Sequence, residues 1–111
     1  SPAYEWGYGT QQPSEACELV EEGATRCARL ALALGDITAA RTAVTAGLRA
    51  MPMNEPLYRE RMRVEAAAGS PEGVRRTLAD LRNALADVGV GSEGAEPDAA
   101  TLQLAAQLTN A

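Results

Sequence analysis

The dipeptides Gly35-Asp36 and Gly69-Ser70, 34 residues apart, constrain this chain more than any other feature. Glycine closes a helix in the left-handed conformation that other residues avoid. Asp or Ser opens the next helix by accepting a hydrogen bond from one of its unpaired N–H groups. A closing glycine followed at once by a capping residue leaves no room for a strand. Each dipeptide therefore predicts two antiparallel helices joined by a minimal turn.

The apolar spacing fills in the helices. A first helix is predicted from Glu15 to Leu34, with Ser14 as N-cap and Glu15 and Glu18 near its positive end. Ala16, Val20, Gly23, Cys27, Leu30 and Leu34 alternate by four and three, which reads as its buried stripe. A second helix runs from the cap Asp36 to about Met51, with Ile37, Ala40, Val44, Leu48 and Met51 inward and Pro52 forbidding continuation. The third has Asn54 as N-cap, Pro56 in its first turn and Leu57, Tyr58, Met62 and Val64 as apolar residues, ending at Ala68. The fourth starts Ser70-Pro71, a strong opening signal, carries Val74, Leu78, Leu81, Leu85 and Val88, and stops at Gly89. A fifth, short helix begins near Asp98 and holds Leu102, Leu104, Ala105 and Leu108; too short to persist alone, it must pack on the fourth and third. The two hairpins are expected to share one apolar interior touched by the second and fourth helices, with the fifth sealing its end.

Residues 1–13 stand apart from a helical body at 14–111. Tyr4, Trp6 and Tyr8 are three of the four aromatic residues and alternate with period two between glycines and prolines. They suit an extended segment, with Trp6 docked on the helices. Residues 90–97 read as a loop, and its acids as solubilising.

Composition removes whole classes of chemistry. The 111 residues include no His, which removes the usual general base, the His-based triads and most zinc sites. All ten basic residues are Arg, so there is no Lys for a Schiff base or a phosphate-binding loop. A net charge of -5 argues against gripping a nucleic-acid backbone, and no apolar run is long enough to span a bilayer. Cys17 and Cys27 fall about 15 Å apart on one helix, too far for a disulfide. Both are read as reduced thiols, Cys27 in the core. No metal and no cofactor is expected, and no enzymatic activity, since the carboxylates lie on helix surfaces among arginines. The start at Ser1 reads as a processed product or a domain of something longer, in the cytoplasm, with a parent protein that is free to be membrane-anchored.

Two helix pairs at a 34-residue period look like tetratricopeptide repeats. Ala40, Val44, Gly47 and Pro52 resemble that repeat's small–apolar–small–Pro signature; Val74, Leu78, Leu81 and Ala86 depart from it. The order of residues also resembles the bacterial transcriptional activator domain over about residues 20–110. Gly35-Asp36, Pro52 followed by Glu55-Pro56-Leu57-Tyr58, Met62, Gly69, the run Leu78, Leu81, Leu85, and the tail Val88-Gly89-Val90, Pro97-Asp98, Thr101-Leu102 carry the likeness. The resemblance implies an all-α, tetratricopeptide-like, right-handed stack of two hairpins with a C-terminal capping helix. In antibiotic-biosynthesis activators of the SARP type such a domain follows a DNA-binding winged helix-turn-helix; related copies occur in larger, including membrane-linked, actinobacterial proteins. The implied role is protein–protein contact or self-association in a regulatory protein. The winged helix is not in this sequence, so direct nucleic-acid contact does not carry over. The alternative is the dimerisation half of a DNA-binding activator.

If helix pairs stack in this way, the first helix of each pair lines a concave face. The first helix presents Glu22, Thr25, Arg29 and Leu32, and the third presents Arg59, Arg63 and Ala67. Thr25, Arg29, Leu32, Arg59 and Arg63 are the candidate partner-binding groove, with Arg as the residue suited to carboxylates of an acidic or C-terminal peptide. The competing reading is that these charges are spent in pairs within a helix, Glu55 with Arg59 and Arg61 with Glu65, each at four-residue spacing.

Overall fold

The computed structural model describes residues 13–88 and 96–110, with the side chains of Pro13, Ser14 and Val88 outside the description. Among the described residues five helices follow in order: α1 (Pro13–Ala33), α2 (Ile37–Ala50), α3 (Glu55–Ala67), α4 (Pro71–Val88) and α5 (Ala99–Thr109). No strand occurs among the described residues, and the chain is all-α. The extended aromatic segment, the end of α4 at Gly89 and most of the acidic loop fall outside the described residues.

Both glycine turns form as their sequence demands. Gly35 and Gly69 take φ of 77° and 76°. At the first turn the Asp36 N–H donates to Ala31 O at 2.8 Å and the Gly35 N–H to Leu32 O at 3.0 Å. At the second the Ser70 N–H donates to Glu65 O at 3.0 Å and the Gly69 N–H to Ala66 O at 2.9 Å. This is the paired closure in which a left-handed residue returns the chain onto the last helical carbonyls. The residue after each glycine then caps the next helix: Asp36 Oδ1 accepts from the Ala39 N–H at 3.0 Å, and Ser70 Oγ from the Gly73 N–H at 2.9 Å. Asn54 does the same for α3, accepting from Leu57 N–H at 2.8 Å. The first helix opens two residues earlier than expected, at Pro13, whose missing N–H costs nothing in a first turn.

α3 is the hub. It packs against all four other helices, whereas α2 and α4 do not touch each other, nor do α1 and α5. The interior is accordingly two clusters, not the single seam expected. Ala28, Ala31, Ala40, Val44 and Val64 form one, from α1, α2 and α3. Met62, Val74 and Ala105 form the other, from α3, α4 and α5. Val64 and Met62 enter opposite clusters from one helix. Leu57, Tyr58, Met62 and Val64 are all buried, as the sequence predicts.

The buried face of α1 is a correction. Its expected stripe faces outward: Cys27 and Gly23 are exposed, Leu30 and Leu34 are 63% and 75% exposed, and Val20 is 36% exposed. Ala28 and Ala31 are buried instead, with Ala24, Thr25 and Leu32 half-buried beside them. Small residues win this face because α1 and α2 approach closely. A Cβ on Gly47 would lie 2.8 Å from Ala24 Cβ and 3.0 Å from Leu57 Cδ1.

Candidate interaction surface

The candidate groove residues fall into separate settings. Arg29 on α1 and Arg63 on α3 converge on one carboxylate, Glu60, which is 1% exposed. Arg29 donates to both its oxygens at 3.3 Å, and Arg63 Nη1 to Oε1 at 3.1 Å. Two guanidinium groups on one carboxylate leave one positive charge over. Both arginine side chains stay partly in water, 63% and 41% exposed. Thr25 is half-buried one turn before Arg29, and Leu32 is packed against the first core cluster. Glu22 is paired with Arg26 at 2.6 Å, and Ala67 is exposed.

Arg59 does something else. Its Nη1 donates to Thr101 Oγ1 at 2.8 Å and lies 3.9 Å from Glu55 Oε2. Glu55 Oε2 accepts from the Asp98 N–H at 2.7 Å and from Thr101 Oγ1 at 2.5 Å. Asp98 makes no side-chain cap of its own. A carboxylate from α3 thus holds the N–H of the residue that precedes α5, and Glu55, Arg59 and Thr101 are a latch between the two helices. Local spacing points to Asp98 as a cap; the partner 43 residues away leaves no such mark.

A second polar region, unread in the sequence, lies between α2 and α4 over α3. It is a cleft of about 500 Å³ lined in part by Arg41, Arg49, Tyr58, Arg61, Glu65 and Asp80. Arg41 binds Glu65 through two bonds of 3.0 Å, and Arg61 binds Asp80 at 3.0 Å. The expected Arg61–Glu65 pairing within α3 is replaced by pairs between helices. The bonds from Arg41 hold the Glu65 carboxyl below its ordinary pKa, against the opposing effect of burial. Burial raises the Tyr58 phenol, whose hydroxyl donates to Pro52 O at 3.0 Å.

Both cysteines are free and exposed. Among the described residues no group of three or more Cys, Asp or Glu is placed to hold a metal ion, and no helix is long and apolar enough to cross a membrane. No protein-family model matches the chain, and neither a curated protein nor a solved structure matches it significantly.

Proposed function

We propose that this chain is a tetratricopeptide-like, non-enzymatic protein-interaction domain of a larger bacterial regulatory protein, akin to the bacterial transcriptional activator domain. The observation that carries the reading is the duplicated turn: the same glycine closure and side-chain cap recur after 34 residues. Contacts support it too. Each helix touches its next two neighbours in sequence and nothing beyond them, apart from α2 and α4, which stay apart. That is how stacked hairpins share interfaces, and it leaves long helix faces open to partners.

The ligand class that fits is an acidic peptide segment, including a C-terminal carboxylate. The Arg29–Arg63 pair retains a net positive charge after Glu60 is counted, on a surface open to water. Titrating the chain with a labelled acidic peptide and its Gln-substituted counterpart tests this. Binding of the acidic form alone, weakened by salt and by Thr25→Glu, is the expected result. Thr25→Glu puts a carboxylate one turn from Arg29, where it competes with the peptide for the guanidinium. Equal binding of both peptides, or specific duplex DNA binding by the isolated chain, refutes the proposal.

A further inference from the structure

α2 and α4 stand apart across α3, and the space between them is the cleft of about 500 Å³. That is the size of a small-molecule site. Its floor is apolar, with half-buried Leu48 of α2 beside Tyr58 and Val64 of α3. Ion pairs tie each wall to the floor. Arg41 of α2 holds Glu65 through two bonds of 3.0 Å, and Asp80 of α4 holds Arg61 at 3.0 Å. Among the described residues no ion pair or hydrogen bond joins α2 directly to α4. The walls are therefore fixed in place without being drawn together, and the opening exists before any ligand arrives. A preformed site of this kind spends little on ordering itself when it binds.

The charges around the cleft do not balance. Arg41, Arg49 and Arg61 face two acids, Glu65 and Asp80, so one positive charge is left over. Glu65, held below its ordinary pKa by Arg41 first and then by Arg61 and Arg76, stays ionised and keeps Arg41 occupied. The surplus charge is Arg49, which is exposed and makes no hydrogen bond or ion pair among the described residues. Arg61 gives one nitrogen to Asp80, so its guanidinium has further N–H donors to offer. A smaller polar hollow shares Arg41, Arg61 and Glu65 with the cleft and adds Arg76, which is likewise unpaired and raises the local positive potential.

We propose that this cleft is a binding site for a small organic carboxylate, with the apolar body on the Leu48–Tyr58 floor and the carboxylate on Arg49. It goes beyond the protein-interaction role and is separate from the Arg29–Arg63 surface. Arginine suits the anion because its planar fork gives a carboxylate two parallel bonds. A single negative charge matches the single surplus cation, whereas a run of acidic residues meets Glu65 and Asp80 and is repelled. Neither half of the ligand suffices alone. An exposed guanidinium holds a bare anion weakly in water, and an apolar body without the charge leaves Arg49 unused.

Amide NMR titrations of the full chain test this with three probes: naphthoate, its neutral analogue naphthalenemethanol, and acetate. Naphthoate should shift amides at Thr45, Leu48 and Arg49 on α2 and at Asp80 on α4 together, and should bind at least about tenfold more tightly than either of the others. Arg49→Glu should weaken naphthoate by about tenfold or more. Thr45→Trp, at an exposed position that lines the cleft, should fill it and abolish binding. Both variants are checked by circular dichroism for unchanged helix content. An excess of the acidic peptide should leave naphthoate bound. Equal binding of naphthalenemethanol overturns the role of Arg49, and equal binding of acetate overturns that of the floor. Displacement by the acidic peptide, or shifts confined to the apolar groove at Val20, Gly23 and Cys27, places the ligand elsewhere and refutes the assignment. The absence of any naphthoate shift also overturns the proposal and leaves the acidic-peptide site at Arg29 and Arg63 untouched.

Discussion

Two glycines in helix interiors test the packing from opposite directions. Gly47→Ala and Gly23→Ala each gain the same helix propensity, about 1 kcal/mol over glycine. Their surroundings differ. A methyl at Gly23 meets nothing within 4 Å, whereas one at Gly47 lies 2.8 Å from Ala24 Cβ and 3.0 Å from Leu57 Cδ1. Ala24 Cβ is fixed to its backbone and cannot rotate away, so α1 and α2 must part. Overpacking of this kind costs about 1–3 kcal/mol. Gly23→Ala should therefore stabilise by about 1 kcal/mol, and Gly47→Ala should be neutral to destabilising by up to about 2 kcal/mol. A gap of about 1–3 kcal/mol is roughly 4–20 °C in Tm for a domain of this size. Thermal melts by circular dichroism, at concentrations where the mass is that of a single chain, read it directly. Equal stabilisation by both substitutions would refute the close approach of α1 and α2 and the small-residue face built on it.

Three further outcomes follow from the polar contacts. Glu55→Ala removes the acceptor for Asp98 N–H and Thr101 Oγ and should cost about 1.5–3 kcal/mol, with hydrogen exchange accelerating in α5 before the rest. At the buried carboxylate, Arg29→Met with Arg63→Met strands Glu60 and should cost about 3–5 kcal/mol, whereas Glu60→Met leaves two water-exposed arginines and should change stability by less than about 1 kcal/mol; urea melts compare them. Glu65, held below its ordinary pKa by Arg41, contributes stability that is present above the carboxyl's unfolded value, about 4.3, and is lost as pH falls through the lower folded value. Melts on the acid side should show that loss, and Arg41→Gln should flatten it.

The sequence was most legible where one residue does one local task. Gly35, Asp36, Asn54, Gly69 and Ser70 each occupy the position that a short-range rule assigns, and each makes the expected hydrogen bond or φ. It was least legible where a polar group is satisfied from afar. Asp98 has the composition of a cap but makes no cap bond, and its own N–H is held by Glu55 on another helix. Glu65 has an arginine at helical spacing and binds Arg41 on another helix. Glu60 reads as one more surface acid, yet it is buried between Arg29 and Arg63. Helical spacing brings charges to one face, but a longer-range arginine that reaches a half-buried carboxylate with two bonds outcompetes a single bond to a neighbour one turn away. The groove residues show both sides: Arg29 and Arg63 were brought together, while Arg59 went to α5 and Leu32 packs half-buried against the core.

α1 carries the more general point. Periodicity identifies a helix with an apolar stripe; it does not say which stripe a neighbour covers. This helix has two, a larger one through Val20, Cys27, Leu30 and Leu34 and a smaller one through Ala24, Ala28 and Ala31. Area alone favours burying the leucines. The alanines are buried because α2 offers Ala40 and Gly47 rather than a groove for leucine, and close backbone approach needs small residues on both helices. Burying the small stripe leaves the large one exposed to water. The residues that misled the reading of the core are thus the ones whose size the close approach of α1 and α2 excludes.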